Sequence, residues 1–206
     1  MEVSVVLSFI GISLLLTLSP GPDILFVLAQ SLAQHAKAGI VTSLGLCTGL
    51  VVHVSAAALG VSAVIYQSAA AFEVVKYAGA AYLLFLAFQS FRGGAPANGA
   101  AQGTTEKYQK LYRKGILMNL LNPKVSLFFL ALLPPFADPS RGSVSLQMLL
   151  LGLIFITQAF LVFFLVSVLS GKIQQNVLHR ISTGKLQKAQ GLIFSFIAMQ
   201  IVISGK

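Results

Sequence analysis

The sequence predicts an all-α integral membrane protein with six transmembrane helices. Three observations predict it. Of the 206 residues, 56% are hydrophobic and only 9% charged, and the mean hydropathy is +0.87. Soluble domains carry roughly 25% charged residues, so this chain has too little polar surface to stay dissolved. The apolar residues form runs near the ~20 residues that a bilayer-crossing helix needs. The basic residues fall in short segments between those runs, so the formal charge of +9 reads as membrane topology and not as nucleic-acid contact.

The six runs cover roughly 4–29, 39–66, 70–91, 115–136, 145–170 and 187–204. The first begins after Glu2 instead of a basic start and continues past Pro22 without a small-residue cleavage site. It is therefore expected to be a retained span and not a signal peptide. Only a short Ala-rich turn separates the second and third runs. Residues 92–114 are Gly/Ala-rich and then basic, a linker ending in an amphipathic piece with Tyr108, Leu111 and Tyr112 on one face. Residues 171–186 suit either an interfacial helix on anionic lipid or a solvated loop. The chain thus divides into a first three-helix repeat (1–91), a basic cytoplasmic linker (92–114) and a second three-helix repeat (115–206).

Charge sets the orientation. Lys37, then Arg92, Lys107, Lys110, Arg113 and Lys114, then Lys172, Arg180, Lys185 and Lys188 follow the first, third and fifth spans. The opposite side carries Lys76, Arg141 and Lys206. The positive-inside rule puts the first group in the cytoplasm and both termini outside. Three spans per repeat would invert the second copy, as in many secondary transporters. The first and fourth spans carry corresponding breaks, SPGPD and NLLNPKV. Lys76 with Gly79 and Lys188 with Gly191 occupy matching places in the third and sixth.

The breaks carry the chemistry. Proline within a helix costs roughly 3 kcal/mol or more, and an aspartate at mid-membrane about 2.5–3.5 kcal/mol on insertion scales. Pro20, Gly21, Pro22 and Asp23 combine both penalties. Backbone groups released there cannot stay unsatisfied in hydrocarbon, so they face protein, water or a substrate. A half-helix N-terminus offers N–H groups and partial positive charge suited to a carboxylate. Lys124 follows Pro123 as Asp23 follows Pro22. The pair can hold each other or receive the two ends of a zwitterion. Asn119 and Asn122 lie within a turn of Pro123, placed to bind a carboxylate or to satisfy broken backbone.

Other polar residues allow two uses each. His53, in the second span, can relay protons near neutral pH or bond a backbone carbonyl. Gln158, in the fifth, can face a cavity or pack. Glu73 and Lys76 read as an interfacial pair. Gly45 and Gly49 form a GxxxG pattern for close packing within the monomer. Phe128, Phe129, Phe155 and Phe160 offer an apolar lining suited to neutral substrates. Cys47 is the one cysteine, which excludes an intrachain disulfide, a CxxC pair and a cysteine-only metal site.

LSPGPDILFVLAQSLAQHAKAGIVTSLGLCTGLVVH, from Leu18 to His53, resembles the N-terminal signature of the lysine-exporter (LysE) superfamily, in its homoserine/threonine-exporter (RhtB) branch. GAAYLLFLAFQSFR and GILMNLLNPKVSLFFLALLPPF are similar to its central and fourth-helix signatures. The resemblance covers nearly the whole chain. It implies an exporter of amino acids or related small metabolites in a bacterial inner membrane, driven by the ion gradient. It points to Pro20, Gly21, Pro22, Asp23, Asn122, Pro123 and Lys124. The chain departs from the pattern in the first cytoplasmic loop, Gln34 to Gly39, and at Ala87, where a glycine is common.

The reading is therefore a secondary active exporter working by proton antiport, with Asp23 and His53 as coupling candidates. The substrate is an amino acid, and anionic lipid lies on the cytoplasmic side. Homo-oligomerisation is left open. No cofactor, resident metal or nucleic acid is expected, and no enzyme motif such as HExxH or a Ser/His constellation is found. The rival is an ion or metal-ion transporter or channel of similar fold.

Overall fold

The computed structural model describes residues 1–19, 21–61 and 106–170, with single helical positions inside 74–92 and 188–202. Most of the third and sixth expected spans, the Glu73–Lys76 pair and the 171–186 segment lie outside the described residues. Regular structure among the described residues is all helical. Two helices are each long and apolar enough to cross a membrane, and two bent pairs raise this to as many as four spans.

Helix α1 spans Val3–Leu18 and α2 spans Pro22–Ala33. Their 16 and 12 residues rise about 24 and 18 Å at 1.5 Å per residue. Neither half alone is long enough to cross a hydrocarbon core of about 30 Å; together they are long and apolar enough, with a 55° bend between them. The hydroxyls inside this apolar pair are returned to backbone carbonyls one turn back: Thr17 donates to Ser13 and Ser31 to Val27 (both 2.8 Å). Phe9 is fully buried and meets Phe136 edge-to-face at 5.2 Å, while Leu7, Leu14 and Leu15 face outward.

Helix α3 spans Ala36–Ala56 and runs on through a π-helical turn, Ala57–Val61. Helix α4 spans Tyr108–Leu120 and α5 spans Pro123–Leu132. The amphipathic piece at the end of the linker is thus continuous with the span that follows it. The α4–α5 bend is 57°. Two short 3-10 turns, Pro134–Phe136 and Pro139–Arg141, lead to α6, Val144–Ser170. Its 27 residues rise about 40 Å. It is apolar all round, as suits a helix with lipid on one side and protein on the other: Leu151, Phe155 and Ala159 are buried, whereas Leu153, Leu161 and Leu165 are exposed.

Lipid is as apolar as leucine, so close packing has to hold these helices together where the hydrophobic effect does not. Glycines supply it between α3 and α4. A Cβ on Gly45 would lie 2.2 Å from the Tyr112 carbonyl oxygen, and one on Gly115 would lie 2.6 Å from that of Thr42. The GxxxG pattern is therefore used inside the protomer. Across α3 and α6 a Cβ on Gly152 would run into Val54. Phe128, Phe129 and Phe155 fill the centre, with ring centroids 4.9–5.6 Å apart.

Polar ties close the two ends of the bundle. At one end His35 hydrogen-bonds Tyr108 (3.1 Å), and the Lys37 ammonium lies 5.3 Å from that ring's centre. There Glu106 accepts from Lys114 (2.6 Å) and Lys110 (3.1 Å), and the Lys114 hydrogen bond holds its carboxyl below the ordinary glutamate range. At the other end Arg141 pairs with Glu2 and Asp138. Hydrogen bonds from Ser140 hold the Asp138 carboxyl below its ordinary value. The Gln147 amide donates to the Asp138 carbonyl (2.9 Å) and accepts its N–H (3.1 Å), pinning this turn to the start of α6.

Candidate functional site

The two breaks have the same local design. Gly21 is the N-cap of α2, with Pro22 at the first helical position and Asp23 after it. Asn122 is the N-cap of α5, with Pro123 first and Lys124 after it. Proline suits that position because its missing N–H would have no partner there and its φ is already helical. The two prolines therefore begin new half-helices at bends where the preceding ones have stopped. Pro20 lies outside the described residues.

The carboxylate of one break is bound by the amides of the other. Asn122 Nδ2 donates to Asp23 Oδ1 (2.9 Å), and Asn119 Nδ2 donates to Asp23 Oδ2 (3.1 Å). Asn122 also caps α5, its Oδ1 accepting the Lys124 backbone N–H (3.0 Å). Each end of that amide is thus committed, which fixes its orientation. Lys124 in turn reaches the C-terminal end of α1, donating to the carbonyls of Ser19 (3.3 Å) and Leu16 (3.4 Å). Lysine ammoniums are favoured at such ends, where the helix dipole is negative. Gly21 leaves room for it: a Cβ there would sit 3.1 Å from Nζ.

Gly21, Pro22, Asp23, Asn122 and Lys124 line one small cavity of about 40 Å³, room for a few water molecules. Its other walls are mostly apolar: Leu16 and Ile24 from the broken first pair, Leu50 from α3, Val125 from α5, and Phe155, Ala159 and Phe163 from α6. An ammonium group has Asp23 to meet, and a carboxylate has Lys124.

His53 stands one layer behind. Its Nε2 bonds the Asn119 backbone carbonyl (3.1 Å), and its ring stacks on Phe129 at 6.5 Å between centroids. A carbonyl accepts, so Nε2 carries the hydrogen and Nδ1 is the site that can take a further proton. Asn119 thus touches both residues, its backbone carbonyl meeting His53 and its side-chain amide meeting Asp23. Gly49 makes space for that residue, because a Cβ there would lie 2.8 Å from the Asn119 side chain.

Gln158 does not line the cavity. Phe155, Ala159 and Phe163 recur every four residues on one face of α6, and Gln158 is turned about 100° from Ala159. Its amide nitrogen and oxygen are buried without partners. Of the phenylalanines, Phe155 lines the cavity, whereas Phe128 and Phe129 pack in the core and Phe160 packs against it. The sequence reading missed Ser19, whose hydroxyl is buried without a partner at the cavity wall. It also missed Phe163. Ser19 directly precedes the Pro-Gly-Pro break, and that adjacency was the available signal.

The family model of the LysE type translocator matches residues 14–205. A membrane protein of Vibrio cholerae is 33% identical over 157 residues, 76% of each chain. A homoserine/homoserine lactone efflux protein of Salmonella typhimurium is 34% identical over 140 residues, 68% of each chain. A leucine efflux protein of Salmonella choleraesuis is 30% identical over 141 residues, 68% of this chain and 66% of the relative. No solved structure matches the chain.

Proposed function

The chain belongs to the LysE type translocator family, and on that premise we propose that it is a secondary active exporter of amino acids or related small metabolites across the bacterial inner membrane. The observation that carries this reading is the cavity at the paired breaks, with Asp23 and Lys124 at equivalent positions of the two half-helices. The similarity to homoserine/homoserine lactone and leucine efflux proteins supports the same substrate class.

The substrate enters from the cytoplasm and binds with its ammonium on Asp23, in place of water or asparagine amides, and its carboxylate on Lys124. Six spans form two inverted three-helix repeats, and their rocking exposes the site to either side in turn. The like geometry of the two bends supports that repeat. The end carrying Lys37, Lys107, Lys110 and Lys114 faces the cytoplasm, and the end carrying Glu2, Asp138 and Arg141 faces outward. Proton antiport resets the carrier, with Asp23 as the proton site and His53 as a second coupling candidate nearby. The rival, an ion or metal-ion transporter, would bring several ligands together; among the described residues no three His, Cys, Asp or Glu side chains form such a group.

The test is uptake into everted vesicles holding the full chain, with labelled amino acids and an imposed proton gradient. Gradient-driven accumulation is expected, with a loss of at least tenfold in Asp23→Asn and in Lys124→Ala. Full gradient-driven transport by Asp23→Asn would remove the carboxylate's role in coupling. Metal-ion movement with no amino-acid transport would favour the rival.

A further inference from the structure

We propose that Asn119 is a coupling residue that reads the charge of Asp23. Its side-chain amide donates while the carboxylate is ionised, and turns end for end to accept from Oδ2–H when a proton is bound. This rests on the proton-antiport reading above and deepens it. An ionised carboxylate only accepts hydrogen bonds, whereas a protonated one also donates. Both Asp23 oxygens face amide nitrogens, at 2.9 Å from Asn122 and 3.1 Å from Asn119. That arrangement fits the ion. A proton on Asp23 gains an acceptor from these amides only if one of them turns.

The two amides differ in their freedom to turn. Asn122 Oδ1 caps α5, accepting the Lys124 backbone N–H at 3.0 Å, so turning it would set two donors face to face. Asn119 Oδ1 is buried and has no hydrogen-bond partner among the described residues. It lies against Gly49 of α3, where an added Cβ would lie 2.8 Å from it. Turning Asn119 therefore breaks no bond of its oxygen, and the amide nitrogen and oxygen are close enough in size to exchange places without new volume. Each arrangement leaves one end of the amide unpaired, so the turn trades like for like. The main chain stays fixed meanwhile, because the Asn119 carbonyl meets the Asn122 N–H (3.0 Å) and His53 Nε2 (3.1 Å). The proton is thus assigned to Oδ2, the oxygen facing the amide that can turn. It comes from water on the outward side and leaves to the cytoplasm, and no other covalent bond changes. Among the described residues, His53 and Cys47 of α3 and Lys124 of α5 are the titratable groups that interact with Asp23; the contact at Oδ2 is made by Asn119. A substrate ammonium would take the place of the amides, so the turn belongs to the vacant, protonated return.

The experiment uses the full chain in vesicles, with leucine and homoserine as probes. It compares proton-driven uptake with gradient-free exchange of labelled for unlabelled probe. Exchange needs no vacant return, so the comparison separates coupling from binding. Asn119→Leu keeps the size of the side chain and removes both donor and acceptor. Its ratio of proton-driven uptake to exchange is expected to fall at least tenfold. An unchanged ratio, whether both activities persist or fall together, would overturn the coupling role of Asn119 while leaving the exporter reading intact. Infrared difference spectra on acidifying the unaltered protein give a second reading that does not depend on the Asn119→Leu variant folding. A shifted amide C=O band is expected with the carboxylic-acid band of Asp23, and both should vanish in Asp23→Asn. An acid band with no amide shift would overturn the turning amide. No movement of either probe in either assay by the unaltered protein would instead overturn the exporter reading and this inference with it.

Discussion

Asn122 performs two tasks that chemistry can separate. Its oxygen caps α5 and its nitrogen holds Asp23. Serine is a good N-cap but offers no amide donor at that reach. Asn122→Ser is therefore expected to melt close to the wild type in detergent while transport falls about tenfold to a hundredfold. That range corresponds to the roughly 1.5–3 kcal/mol of a hydrogen bond to a charged group. Asn122→Ala should lose both, with a further 0.5–2 kcal/mol or so of stability from the missing cap. Equal transport in the serine and wild-type proteins would show that Asp23 does not depend on this donor. At this scale the sequence was most legible: Asp23 and Lys124 were marked as charges beside the breaks within membrane spans, Asn119 and Asn122 by lying within a turn of Pro123, and both amides meet Asp23. The place of Ser19 beside the break was legible but its unpartnered hydroxyl was not, because a hydroxyl in an apolar helix usually bonds its own backbone, as Thr17 does. Whether it is free depends on local geometry that no composition reveals.

At the scale of elements, the broken helices were foreseen from proline chemistry, whereas the facing of α6 was not. A helix apolar on every side has no periodicity from which to read its inward face, so Gln158 and Phe160 were set beside Phe155 as equals. The α3–α4 seam makes an element-level prediction. Gly45→Ala would press a methyl against the Tyr112 backbone, which cannot rotate away, whereas a Cβ on Gly11 would meet nothing within 4 Å. Gly45→Ala should lose about 1–3 kcal/mol through overpacking, seen as a lower melting temperature in detergent. Gly11→Ala should be neutral or slightly stabilised by better helix propensity. Equal melting temperatures for the two variants would mean that α3 and α4 do not pack this closely.

For the whole molecule, the paired ends show which segments share a side. The His35–Tyr108 and Glu106–Lys114 contacts bring the 34–37 turn and the start of α4 to one end, and Glu2–Arg141 brings the N-terminus and the 138–141 turn to the other. In a Cys47→Ser background, Ser140→Cys on intact cells should react with a membrane-impermeant thiol reagent. Lys110→Cys should react only after the membrane is opened. The reverse pattern would turn the molecule over. Charge counting on the sequence groups the same segments, because most of the basic residues cluster between spans. The contacts joining distant segments depend on the fold and had no sequence signature.

The hydrogen bonds around the breaks also bear on membrane voltage. With Asp23 ionised and Lys124 protonated, the site sums to zero charge, and each ion keeps partners when the cavity is empty: the asparagine amides for one, the carbonyl end of α1 for the other. A zwitterionic cargo adds nothing to that sum. Moving one elementary charge through 100 mV is worth about 2.3 kcal/mol; the loaded passage would not bear that cost, whereas the return with a proton on Asp23 leaves the Lys124 charge uncompensated and would. The electrical character of the whole cycle would then rest on the coupling ion alone.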